Sequence, residues 1–162
     1  MAVVSRYTIS LHVLALLAYV AERSSANNHR TSEFIANSVN TNPVFIRRIL
    51  SVLSKAGLVS VRYGTGAGWR IAGNPEEITF LQVYEAVEEK PLFEYHHSTP
   101  NARCPIGAGI QPALKPYYDE AEQAMKANLA KSTIADLLKD TMLFSNMSIE
   151  EADRVISVRA DS

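Results

Sequence analysis

Val44, Arg47 and Arg48 fall in the first half of Pro43 to Ala56, where the apolar residues Ile46, Ile49, Leu50 and Leu53 recur at i, i+3, i+4 and i+7. The three therefore share the polar face of a helix with one buried stripe, beside Ser51 and Lys55. A guanidinium on such a face can pair bidentately with a guanine edge or clamp a phosphate. Thr41 and Asn42, just upstream, carry hydroxyl and amide groups that bond phosphate oxygens or a base edge. Arg62, Thr65 and Arg70 add donors around a glycine-rich turn, and Ser5 and Arg6 stand where they could fasten a helix start to a phosphate. Taken alone, Arg47 and Arg48 also fit an ordinary solvated face.

The elements that would position these residues can be read along the chain. A helix is expected over Tyr7 to Glu22, apolar on more than one side and so covered on more than one side. Both the neighbouring elements and a second subunit could supply that cover. Ser24–Arg30 is a polar loop. Thr31 suits the N-cap of a short helix over Ser32 to Ser38, with Phe34, Ile35 and Val39 facing inward. Asn40, Thr41 and Asn42 form a turn, Pro43 suits the first helical position, and Gly57 suits the stop. Leu58 to Arg62 alternates as a strand, Tyr63 to Gly68 is a turn, and Trp69 to Ala72 returns as a second strand. Helix, turn, helix and glycine-tipped hairpin, in that order, make a winged helix-turn-helix.

Downstream, Thr79 and Gln82 form a capping box for a helix to about Glu88. Lys90 to Arg103 is a loop. A long helix starts at Pro105 or Ile110 and runs to Ala130, with Leu114, Tyr117, Tyr118, Ala121, Met125 and Leu129 on one side and Pro116 as a candidate kink. Thr133 and Asp136 mark another helix start. The tail beyond Thr141 is weakly patterned, with one short helix conceivable over Ser148 to Val158.

Charge is distributed unevenly. Residues 1–75 hold eight Lys and Arg against two acids, residues 76–162 eight against fifteen. The net charge of -1 hides a basic half followed by an acidic one, so only the first half suits phosphate. The apolar run Leu11–Ala21 is too short to span a bilayer, and its flanks do not read as a signal peptide. A single cysteine, Cys104, allows no internal disulfide and fits a reducing cytoplasm.

Cys104 stands before Pro105, at the N-cap of the long helix, where the helix N-terminus favours thiolate. That makes it a candidate redox sensor. The competing reading is a buried small hydrophobe that fixes the loop. Cys104 with His96 or His97 could be imagined as nucleophile and base, but no orienting acid, oxyanion hole or phosphate-binding loop accompanies them, so an enzyme is not expected. His12, His96, His97 and Cys104 make a thin metal set. His12 reads instead as a packed core histidine, and His96 and His97 as a solvated loop pair.

Several motifs together carry a resemblance. They are Ser5-Arg6-Tyr7 before a helix with His12, and Asn42-Pro43-Val44 leading to Leu53-Ser54-Lys55-Ala56-Gly57-Leu58-Val59. Gly64-x-Gly66-x-Gly68-Trp69, Ile78-Thr79-x-x-Gln82-Val83-Tyr84-Glu85-Ala86-Val87-Glu88 and Cys104-Pro105-Ile106-Gly107 continue it. From Val3 to Leu138 the chain resembles the Rrf-type winged helix-turn-helix transcriptional regulators, the family of IscR, NsrR and CymR. The resemblance implies a homodimer paired through the long helix, with Leu114, Tyr117, Tyr118, Ala121 and Met125 in the seam. It implies repression at a near-palindromic operator, with Arg6, Thr41, Asn42, Val44, Arg47, Arg48, Arg62, Thr65 and Gly66 at the DNA. Cluster-binding members carry three cysteines before the long helix, and here only the last remains, as Cys104. One thiolate cannot hold an iron–sulfur cluster, so no cofactor is expected.

The expected fold is mainly α with a small β-hairpin: a winged domain over residues 1–75, a helical dimerisation and sensing region over 76–140, and a tail over 141–162. The expected partners are duplex DNA, a second copy and a small-molecule or protein effector received by the loop Lys90–Arg103, with no membrane. The alternatives are a winged-helix module for protein contacts, and a metal- or cluster-binding redox regulator built on Cys104 and the histidines.

Overall fold

The computed structural model describes residues 2–24 and 28–158. Residues 25–27 of the expected polar loop and 159–162 of the expected tail lie outside them. In chain order the elements are α1 (Ala2–Arg23), α2 (Ser32–Val39), α3 (Pro43–Lys55), β1 (Val59–Arg62), β2 (Gly68–Ile71), α4 (Phe80–Val87), α5 (Pro105–Leu129), α6 (Ile134–Ser145) and α7 (Ile149–Val158).

Helix α1 is the central pillar. Every residue from Val13 to Val20 is buried, so this segment is covered all round. The cover comes from the chain itself, because α1 packs against α2, α3, α4, α6 and β2. It also starts five residues before the expected Tyr7. Apolar periodicity marks where a helix is buried, not where it begins, and no capping residue announces this start.

Local chemistry fixes most other helix ends. The Thr31 hydroxyl accepts a hydrogen bond from the Phe34 amide at 3.2 Å and so caps α2. Thr79 with Gln82, and Thr133 with Asp136, form two reciprocal capping boxes at the starts of α4 and α6. These two threonines also face each other in an antiparallel bridge: the Phe80 amide donates to the Ser132 carbonyl and the Ile134 amide to the Ile78 carbonyl, each at 2.9 Å. Helix α6 therefore returns from the far end of α5 to the start of α4. Its Ile134 and Leu138 then join the core around α1.

Helix α5 runs unbroken through Pro112 and Pro116, and none of its residues is buried. Tyr117 is 71 % exposed. Tyr118 is half-buried under the chain's own loop, where Phe93 stacks on it at 4.5 Å between ring centroids and Tyr95 lies at 5.7 Å. The weakly patterned segment after Thr141 is helical, and its second helix falls on the short one that the sequence offers over Ser148 to Val158. Helix α6 continues to Ser145, and α7 folds back on α1 with Ala152 buried. The Tyr19 hydroxyl donates to Asp153 Oδ1 at 2.5 Å, holding α7 there.

Candidate nucleic-acid interface

Helices α2 and α3 are joined by a turn in which Asn40 takes the left-handed conformation at φ 60°. The Asn42 side chain accepts a hydrogen bond from the Val44 amide at 2.8 Å, so Asn42 is the N-cap of α3, with Pro43 in its first turn. Its Oδ1 is thereby used, while its NH2 group keeps two donors. Ile46, Ile49, Leu50 and Leu53 are fully buried. Val44, Arg47, Arg48, Ser51 and Lys55 are all exposed on the opposite side, as their spacing requires.

The two arginines differ in their surroundings. Arg47 donates from Nε to the Ser32 hydroxyl at 3.0 Å and from Nη2 to Glu33 Oε1 at 2.5 Å, tying α3 to the first turn of α2. This bond, after the backbone hydrogen bonding at Glu33, holds that carboxyl below the usual carboxylate range. Arg48 makes no hydrogen bond or ion pair among the described residues. It borders a cavity of about 190 Å³ shared with Arg6, Phe45, Ile49, Val52 and Val87. Arg6 is half-buried there and donates from Nη2 to the Val87 carbonyl at the C-terminus of α4. Burial raises the pKa of the neighbouring Glu88, and the Arg6 charge partly offsets this.

In the hairpin, Val59 pairs with Ile71, Val61 with Trp69, and Arg62 with Gly68. Gly64 and Gly66 turn the tip at positive φ, while Tyr63 stands 83 % exposed beside them. Thr65 and Gly66 are exposed at that tip, and Thr41 is half-exposed in the turn before α3. Arg70 is exposed and donates from Nε to the Ser60 hydroxyl at 3.1 Å across the strands.

Gly68 is not a residue of the turn, contrary to its reading in the sequence. It opens β2, is buried, and pairs across the ladder. The reason lies in a contact that sequence reading missed. The Arg30 and Trp69 backbones exchange two hydrogen bonds, each 2.8 Å, adding a bridge to the outer side of the hairpin. A Cβ on Gly68 would stand 2.8 Å from the Arg30 carbonyl oxygen, closer than a side chain tolerates. The bridge brings His29 beside the hairpin, where burial lowers its pKa, followed by the charges of Arg70 and Arg62. A single bridge between distant residues leaves no periodicity, so the only trace of it was the third glycine.

Cys104 caps α5 without a side-chain hydrogen bond that satisfies the geometry of a cap. It is exposed, which overturns its reading as a buried small hydrophobe. The Gly107 and Ile106 amides nonetheless pull its pKa below the usual thiol value. Gly107 is required for space, since a Cβ there would collide with the Asn101 carbonyl oxygen. His12 is also exposed, not packed in the core, with Nε2 3.1 Å from the Ser38 hydroxyl. It sits on α1 because neighbouring apolar positions, not its own, face the centre. His96 and His97 are exposed in the loop.

A family model described as Rrf2, an iron-dependent transcriptional regulator, matches residues 4–140. The chain belongs to the Rrf2 family. YwnA of Bacillus subtilis, named as a candidate HTH-type transcriptional regulator, is 36% identical over 134 residues, covering 83% of this chain and 95% of YwnA. A solved structure described as a candidate DNA binding protein is 33% identical, with a TM-score of 0.62, covering 82% of this chain and 98% of that one. Staphylococcus aureus CymR shares the fold, at a TM-score of 0.60 and 20% identity over 82–83% of this Rrf2-family chain and 92–95% of CymR, in structures that include an oxidized form.

The iron of the family description does not fit this chain's donors. An iron–sulfur cluster takes four cysteine thiolates as a rule, and the chain has one cysteine. Among the described residues, no group of three or more His, Cys, Asp or Glu stands close enough to hold a metal ion. No described helix is long and apolar enough to cross a membrane.

Proposed function

We propose that this transcriptional regulator binds duplex DNA as a homodimer and represses at a near-palindromic operator. The observation that carries this reading is the exposed polar face of α3, with Val44, Arg47 and Arg48, standing in the same fold as a hairpin edged by Arg62 and Arg70. Helix α3 would enter the major groove by its N-terminal half, and the hairpin tip with Thr65 and Gly66 would lie on the flanking backbone. Thr41 and Asn42 would grip phosphates. Arg6, already bound to the Val87 carbonyl, would act chiefly by holding α1 to the end of α4.

The seam of the dimer is α5. None of its 25 residues is fully buried within one chain, and a second copy laid along Leu114, Tyr117, Ala121 and Met125 would cover them. Tyr118 would contribute through its stack with Phe93. The winged unit of residues 1–75 then meets DNA, the helical region of 76–140 pairs and senses, and α7 is an accessory docked on α1. The reading is of a non-enzymatic protein acting where the genome is, in the cytoplasm. Cys104, exposed and acidified by the first turn of α5, is its candidate redox sensor.

The test is selection of bound fragments from the source genome at two salt concentrations, with sedimentation of the free protein. Enrichment of a two-fold symmetric sequence, affinity falling steeply with salt, and twice the monomer mass are expected. A monomer that prefers no duplex over random sequence overturns the reading.

A further inference from the structure

The tip of the hairpin is slender. From Gly64 to Gly68 the largest side chain is that of Thr65, and Gly64 and Gly66 turn the chain at φ 78° and 72°. The Ala67 amide closes the turn on the Gly64 carbonyl at 3.1 Å. One bulky side chain stands beside this tip. It is Tyr63, directly after β1, and it is 83 % exposed. Among the described residues it makes no hydrogen bond and no ring contact. A ring left in water on so thin a loop adds no packing to the fold. From Val59 to Ala72 there is also no carboxylate, so the hairpin carries no charge of its own that repels phosphate.

A tyrosine in this place suits one kind of surface. The minor groove of duplex DNA is about 6 Å wide, narrow enough to admit a flat ring and a thin loop but not a helix. Its floor at an A·T pair presents only acceptors, adenine N3 and thymine O2. A phenol O–H donates to either one. At a G·C pair the guanine N2 amino group stands in that place and offers a second donor. With the tip resting on the flanking backbone, Thr65 reaches phosphate, and Tyr63 is the side chain long enough to cross to the base edges.

We propose that Tyr63 is a specificity-determining residue that enters the minor groove beside each half-site and selects A·T over G·C there through its hydroxyl. This rests on the reading of the protein as a DNA-binding dimer whose hairpins lie outside α3. It adds a sequence preference at base pairs that α3 does not reach.

The test uses the full chain and the duplex that genomic selection enriches, with the pairs flanking each half-site made A·T, G·C or inosine·C. Inosine presents the major groove of guanine but lacks the N2 amino group. Fluorescence anisotropy should show the G·C form binding about tenfold more weakly than the A·T form, and the inosine·C form binding as the A·T form does. Tyr63→Ala should bind all three alike. Tyr63→Phe, which removes only the hydroxyl, should lose most of the preference. Both variants should keep the parent's helix content, because the side chain is exposed. Equal binding of the A·T and G·C forms by the parent, inosine·C as weak as G·C, or a full preference kept by Tyr63→Phe overturns the inference. Each of these outcomes leaves a symmetric duplex bound, and so leaves the proposed function standing. A protein that prefers no duplex overturns both.

Discussion

The Arg47 guanidinium reaches back across the helix-turn-helix and meets the Glu33 carboxylate at 2.5 Å, while Arg48, the next residue, has no such partner among the described residues. Adjacent arginines on one helix face are thus unequal. Arg47 shapes the unit that carries it, and Arg48 stands without that tie, as its proposed contact with phosphate requires.

Arg48→Ala should therefore weaken binding to all duplexes alike. It should also reduce the slope of log affinity against log salt by about 1. Folding stability should change by no more than about 0.5 kcal/mol, because the side chain is exposed. Fluorescence anisotropy at several salt concentrations and a urea titration check the two parts. Arg47→Ala should lose affinity and stability together.

Gly68→Ala should destabilise the fold by about 2–3 kcal/mol, since a Cβ would press on the Arg30 backbone and the bridge to Trp69 would open. Gly64→Ala, at φ 78° with open space around it, should cost only about 1 kcal/mol. Urea denaturation of the two variants, side by side, separates close approach from backbone strain.

Tyr7 and Tyr19 each have a pKa pushed from 10.0 up to about 12, first by burial and then, respectively, by Tyr84 and by the hydrogen bond to Asp153. A raised folded pKa means that the unfolded chain loses its proton first. The stabilisation is complete below pH 10 and is lost as pH rises from about 10 to about 12. Stability measured across that window should fall, and the double variant Tyr7→Phe, Tyr19→Phe should fall less steeply.

Cys104 should be alkylated by iodoacetamide with a rate that titrates below the ordinary thiol value of 9.0, because the Gly107 and Ile106 amides stabilise its thiolate. Cys104→Ser should bind operator as the parent does and lose any response to peroxide. A response that persists in this variant removes Cys104 from sensing.

Tyr117→Glu should shift the protein toward monomer in sedimentation without lowering helix content. Tyr117 is exposed on α5 and is not packed on the hydrophobic core among the described residues, so the substitution leaves that core intact and acts on the proposed seam.

The helix-turn-helix was legible because its signals are short-range. Thr31 bonds the amide three residues on, Asn42 the amide two residues on, and Ile46, Ile49, Leu50 and Leu53 repeat with the helical turn. The same holds for the boxes at Thr79 and Thr133, and the family resemblance followed from such motifs. His12 and Cys104 were misplaced because a residue's type suggests burial, while its angular position or its cap decides it.

The sequence by itself thus determined the helix-turn-helix, the capped starts of α2, α3, α4 and α6, the presence of the hairpin and the polar face of α3. Only the tertiary structure decided that Glu33 holds Arg47, that Arg30 bridges Trp69, and that Asp153 brings α7 back onto Tyr19 and Arg23. The physical reason is separation along the chain. A cap or a helical stripe closes within one or two turns and leaves its mark in the spacing of residues. A contact across many residues must overcome the entropy of closing the loop, and it is made by whichever side chains the packed core brings together.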